Sequence, residues 1–178
     1  MKKLIATLLA LTLVLSLTLT AVAEENAPTF IKGIQFNMDM DQVMQILQLP
    51  NPEIDNERTR GAVVFEELEY EDVRDGSYTC DLNLKFVGNS LVAIHMDMAD
   101  GTNYDAVKAD IVKTFGAEAV PFDAAKIGNG KYAVDDDGDL DDCKEMIVAD
   151  GVIIVLEQDH EGDMDVTMLD PTAAYINN

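Results

Sequence analysis

Phe30-Ile-Lys-Gly-Ile-Gln-Phe-Asn-Met-Asp-Met-Asp-Gln-Val-Met-Gln-Ile-Leu-Gln-Leu-Pro50 is the stretch on which the reading of the fold turns. Asp39 stands three residues before Gln42, the spacing of a capping box in which each side chain satisfies the other residue's backbone N–H. Met40, Val43, Ile46 and Leu47 then recur on one helical face, and Leu49-Pro50 stops the helix. A second segment of the same kind begins near Tyr104, with Thr102 as its expected cap and Asp105 three residues on. Tyr104, Val107, Ile111, Val112 and Phe115 form its apolar stripe, and Gly116 is its expected stop.

Strand-like segments fill the space between and after these helices. Asn51 to Arg60 reads as a polar connection. Gly61 to Val73 reads as a strand whose apolar alternation changes phase across Glu66-Glu67, which predicts a β-bulge there. Asp75-Gly76 signals a hairpin. In the next strand Tyr78, Cys80, Leu82, Leu84 and Phe86 face one way, while Thr79, Asp81, Asn83 and Lys85 face the other. The third strand places Val92, Ile94, Met96 and Met98 on its apolar side and His95 on its polar side. Parity favours a three-residue loop, Gly88-Asn89-Ser90, which pairs Phe86 with Val92 and Leu84 with Ile94.

Beyond the second helix, Ala117 to Gly130 reads as irregular, Lys131 to Val134 as a short strand, and the acidic run Asp135 to Asp142 as a surface loop. Cys143 to Ala149 and Val152 to Glu157 form a hairpin turned at Asp150-Gly151, and their continuous apolar runs predict burial on both faces. Asp163 to Leu169 is a last strand, and the tail after Pro171 is expected to be loose. The fold class is therefore α+β: two helix-plus-antiparallel-meander halves, 24–100 and 101–178, with the helices on one face of the sheet and the halves forming one compact domain. One larger sheet with both helices on one face is the alternative to an internal duplication.

Residues 1–23 read as a signal peptide: Lys2-Lys3, an uncharged run from Leu4 to Thr20, and the small-residue site Ala21-Val22-Ala23. This predicts a secreted or extracytoplasmic protein with no membrane span after cleavage. With 34 acidic against 12 basic residues the formal net charge is −22, which repels nucleic-acid phosphates and anionic lipid. Cys80 and Cys143 are the two cysteines. They read either as one long-range disulfide or as two buried thiols.

The helix entry from Gly33 to Val43, closing at Leu49-Pro50, resembles the helix start of SmpA/OmlA-type proteins among small exported bacterial proteins. The helix-plus-meander layout is similar to the β-lactamase-inhibitor-protein-like fold. The resemblance implies a non-catalytic module that binds another protein through an open sheet face.

No HExxH, phosphate loop or Ser–His–Asp signature occurs in the sequence. The expectation is a non-enzymatic protein, without a cofactor, that contacts a protein or envelope component through Thr79, Asp81, Asn83, Lys85 and His95. The alternative is a calcium-binding module using Asp135, Asp137, Asp139 and Asp141. An EF-hand is excluded, since Leu140 and Met146 stand where its glycine and glutamate belong.

Overall fold

The computed structural model describes residues 30–31, 33–173 and 175. The expected signal peptide and the residues up to Thr29 lie outside them. The chain is α+β, built on one eight-stranded antiparallel sheet. In order, its elements are α1 (Met40–Leu47), β1 (Glu53–Arg60), β2 (Val63–Asp75), β3 (Tyr78–Val87), β4 (Ser90–Met98) and α2 (Tyr104–Phe115). There follow β5 (Ala119–Pro121), the short α3 (Ala124–Ile127) and α4 (Lys131–Val134), then β6 (Cys143–Ala149), β7 (Val152–Gln158) and β8 (Met164–Leu169). The strand order is β1-β2-β3-β4-β8-β7-β6-β5, so β4 pairs β8 and a single sheet runs through both halves.

α1 forms where the capping box predicts it, with Asp39 accepting from Gln42 N–H and the Gln42 side chain reaching back to the Asp39 backbone. α2 is capped by Asn103, which accepts from Ala106 N–H, rather than by Thr102, whose hydroxyl donates to the Ala99 carbonyl. Gly116 ends α2 at φ 66°.

Several segments depart from expectation. Glu53–Arg60 is an edge strand, not a connection; its outward charge hid it, because an edge strand needs no apolar face. β2 carries no bulge at Glu66-Glu67. Val63 and Phe65 simply face the opposite side of the sheet from Leu68 and Tyr70, and both sides are covered. The bulges lie elsewhere: in β1 opposite Glu66, and in β2 at Glu71-Asp72, where Asp72 takes φ 53° and its N–H donates to Asp81. The turn after β2 is Gly76-Ser77, one residue later than expected.

The β3–β4 turn is the two-residue Gly88-Asn89, both residues at positive φ. Phe86 pairs with Leu91, and a bulge at Val92 then restores the expected Leu84–Ile94 pair, turning Val92 to the other face. Ala119–Pro121 is a strand and Lys131–Val134 is helical. β7 is buried along nearly its whole length as predicted, but β6 is not, and Val148 is 48% exposed. The tail is not loose at Tyr175, whose buried hydroxyl lies 3.0 Å from the Val92 carbonyl oxygen.

The core has two parts. On one face α1 and α2 lay Val43, Val107 and Ile111 on Leu82, Leu84, Phe86, Met96, Ile154 and Leu156. On the other face α3 and α4 cover Val63, Phe65, Val92, Ile153 and Val155. The helices therefore occupy both faces, not one.

α4 is tied to the β1–β2 turn by close packing. Gly61 sits at φ +57°, and a Cβ there would lie 2.6 Å from the Tyr132 hydroxyl oxygen. Gly61→Ala is expected to cost about 2–4 kcal/mol in chemical denaturation. Gly88→Ala has the same φ but open space around it, and is expected to cost only about 1 kcal/mol. Equal costs would show that Tyr132 yields without penalty.

Candidate functional site

Where α3 and α4 stop, the second face of the sheet continues as a polar floor. Register places its side chains in rungs across adjacent strands. Glu69 lies opposite Asn83, Asn83 opposite His95, and His95 opposite Thr167. In the next rung Asp81 lies opposite Asp97, Asp97 opposite Asp165, and Asp165 opposite Glu157. Residues directly opposed in an antiparallel pair hold their Cβ atoms about 4.5–5.5 Å apart, so this is a line of like charges.

Two clefts open on this floor. The larger, about 590 Å³, includes Glu53, Glu69, Glu71, Asp72, Asp81 and Asp97 in its walls, together with Asn83 and His95. The smaller, about 310 Å³, is walled by Arg58, Asn83, Lys85, His95, Asp136, Glu157 and Asp165 among others. Asn83 and His95 line both, so the clefts adjoin. Asn83 Nδ2 donates to Glu69 Oε1 at 3.0 Å, while its buried Oδ1 has no hydrogen-bond partner among the described residues.

The cations of the floor gather at one end. Asp136 accepts from Arg58 Nη1 at 3.2 Å and from Lys85 Nζ at 3.2 Å, and is also bonded to Arg60. Beneath it Glu67 is fully buried, with Arg58 Nη1 2.9 Å from Oε2. Burial raises the Glu67 pKa and outweighs the opposing pull of Lys85 and Arg58. Asp136 is held below the usual carboxylate range by Lys85 and Arg60, against the effect of burial.

His95 Nδ1 lies 2.9 Å from Thr167 Oγ1, and Thr167 Oγ1 lies 3.3 Å from Glu157 Oε1. A hydroxyl has one proton. With Glu157 ionised, Thr167 donates to it and accepts from His95 Nδ1–H. Burial, assisted by the nearby Lys85, pushes His95 down to about 4, so the imidazole is neutral at pH 7. Burial followed by repulsion from Asp165 pushes Glu157 up to about 8. Burial followed by Asp97 pushes Asp165 up to about 7, and Asp97 is raised by burial and then by Asp81.

The residues expected to form the contact surface are only partly gathered there. Thr79 and Asp81 are exposed, Asn83 and His95 are half-buried, and Lys85 is buried against Asp136 and the Phe65 ring rather than presented. The acidic loop is not arranged around a point. Asp135 Oδ1 accepts from the N–H groups of Asp137 and Asp139, and Asp139 Oδ1 accepts from that of Asp141. Among the described residues, acidic oxygens converge within 4.8 Å of one another at Asp159, Glu161 and Asp163 instead. Cys80 and Cys143 are both free, and they belong to apolar clusters on opposite faces of the sheet. Burial pushes the Cys80 thiol up to about 12.

The residues missed by sequence reasoning are Arg58, Glu67 and Asp136, and the rung partners Asp97, Asp165 and Glu157. The alternation of β4 and β8 placed Asp97 and Asp165 on their polar sides, but nothing local marks that these two strands pair. No protein-family model, curated protein or solved structure matches this chain. No helix among the described residues is long and apolar enough to cross a membrane.

Two tests follow from this geometry. Asp136→Asn strips the main partner from Lys85, whose side chain is only 5% exposed. The expected loss is about 1–3 kcal/mol, below that of a fully buried pair because Asp136 is 39% exposed. An unchanged denaturation midpoint would show that Glu67 alone compensates Lys85.

The second test concerns pH. Asp165 and Glu157 have folded pKa values above those of the unfolded chain, so the folded state binds more protons and stability falls as pH rises through those values. Between pH 6.5 and 8.5 unfolded carboxylates are already ionised, and the proton still lost there by His95 of the unfolded chain offsets only a small part of the effect, so the melting temperature is expected to drop by about 2 °C or more. Glu157→Gln is expected to flatten that slope.

Proposed function

We propose that this chain is an exported, non-enzymatic binding protein that holds a basic segment of a partner protein or envelope component in the larger cleft. The observation that carries the reading is the wall of that cleft: six carboxylates, with no lysine or arginine among the described residues lining it. A concave acidic surface focuses its field outward, raises the local concentration of cationic groups and speeds their capture. The leader-like residues 1–23 support export, and the open polar end of the sheet supports recognition through a face, as the resemblance to inhibitor-like modules implies. Calcium on Asp135, Asp137, Asp139 and Asp141 has less support, because the Asp135 and Asp139 carboxylates are engaged with their own loop backbone.

The test is titration with an N-acetylated oligo-arginine peptide, whose charge is constant across the accessible pH range. Neutralising Glu71 and Asp81 together is expected to weaken binding about tenfold at low salt, and added salt is expected to compress the difference. Neutralising Asp137 and Asp139, which removes the same net charge outside the cleft, is expected to leave affinity within about twofold. Equal losses from both pairs would reduce the binding to general attraction by a negative chain and overturn the reading.

A further inference from the structure

The larger cleft and the smaller one are joined by more than their shared walls. The rung that runs beneath them carries a carboxylate on each of four consecutive strands in the order β3, β4, β8, β7. Asp97 belongs to the wall of the larger cleft, while Asp165 and Glu157 belong to the smaller. Glu157 is 8% exposed and receives hydrogen bonds from Thr167 and Cys143. We propose that Asp97, Asp165 and Glu157 act as one proton-sharing rung, and that proton uptake by it gates the adjoining cleft, lowering its affinity for a cationic partner as the medium becomes acid. The gating rests on the reading of that cleft as a site for a basic segment.

Directly opposed carboxylates in a partly dry setting cannot all be ionised without strong mutual repulsion, and a proton retained by one relieves its neighbours. The surroundings offer little other relief. Asp97 faces Asp81 from β3, with Asp163 and Asp100 nearby. Asp165 faces Asp97 from β4 and feels Asp159, Asp163 and Asp142 from the adjoining loops. Glu157 faces Asp165 from β8 and Cys143 from β6, and feels Asp135 from the acidic loop.

Lys85 on β3 lies one rung beyond His95 and is bound to Asp136 at 3.2 Å, and Arg58 and Arg60 are committed to the same carboxylate. His95 is pushed down to about 4 and therefore brings no positive charge to the rung at neutral pH. With Asp165 pushed up to about 7 and Glu157 up to about 8, the rung gains charge across the neutral range rather than near pH 4.

The experiment has two arms on the full chain. In the first, carboxyl carbons of Glu157 and Asp165 are followed by NMR from pH 4 to 10 in the unsubstituted protein. Midpoints between about pH 6 and 9 are expected, against about 4 for ordinary carboxylates. Midpoints below pH 5 for both would overturn the proposal. In the second arm, N-acetylated oligo-arginine is titrated at pH 6 and pH 8.5. Affinity is expected to rise about threefold to tenfold with pH in the unsubstituted protein. It is expected to change by less than about twofold in the double variant Glu157→Gln/Asp165→Asn, checked for an intact circular dichroism spectrum.

Equal pH dependence in the unsubstituted protein and the double variant would overturn the gating even if the rung titrates as expected. Absence of peptide binding at every pH would overturn the gating together with the binding reading. The first arm then tells these failures apart, because the titration needs no partner.

Discussion

The pairing of β4 with β8 is the constraint on which the rest of this molecule depends. Its register runs from Ala93 opposite Leu169 to Asp97 opposite Asp165, and it joins two runs of strands that are far apart in the chain. The same register does three things at once. It places Ile94 beside Met168 and Met96 beside Val166 in the apolar layer under α1 and α2. It lays His95 against Thr167, and it sets two carboxylates face to face. Because side chains alternate strictly, shifting the pair by one residue would carry the charged set into the apolar layer. Burial of the methionine and isoleucine side chains therefore holds the carboxylates where their repulsion is felt.

That repulsion goes uncompensated because the positive charge available on the same face is spent elsewhere. Arg58, Arg60 and Lys85 converge on Asp136, which closes the acidic loop over Glu67 and packs α4 against the sheet. One end of the floor is thereby neutralised and roofed, and the other is left acidic and open. A division of this kind, with ion pairs where the cover is and uncompensated charge where it is not, separates an ion-paired half of the surface from an acidic half that stays open.

The parts of this architecture written in local patterns were legible in the sequence. The capping box of α1, the Gly116 stop of α2, the Asp150-Gly151 turn and the inward row from Cys80 to Phe86 each follow from spacing within a few residues. Elements that obey a tertiary rule instead were misread. β1 is polar because it is an edge strand, and the phase change in β2 reflects cover on both faces rather than a bulge. The second β-turn was mistaken by one residue because a loop plus a bulge and a longer loop give the same parity at Leu84 and Ile94. Thr79, Asp81, Asn83 and His95 were placed on the correct side of the sheet, but Lys85 was buried by a carboxylate 51 residues away. The carboxylate rung was invisible for the same reason: it exists only once β4 and β8 are known to be neighbours.

The two ends of the sheet carry a consequence of their own. β1 is eight residues long, dense in charge and interrupted by a bulge between Asp55 and Arg58, and β5 is three residues long and finishes at Pro121. Each is a poor template for an added strand. A sheet of this width would otherwise invite end-to-end stacking into fibrils, or the capture of extended peptides by backbone pairing. With both borders defended, backbone pairing is disfavoured at either end of the sheet, and what the sheet presents to its surroundings is side chains rather than main-chain groups.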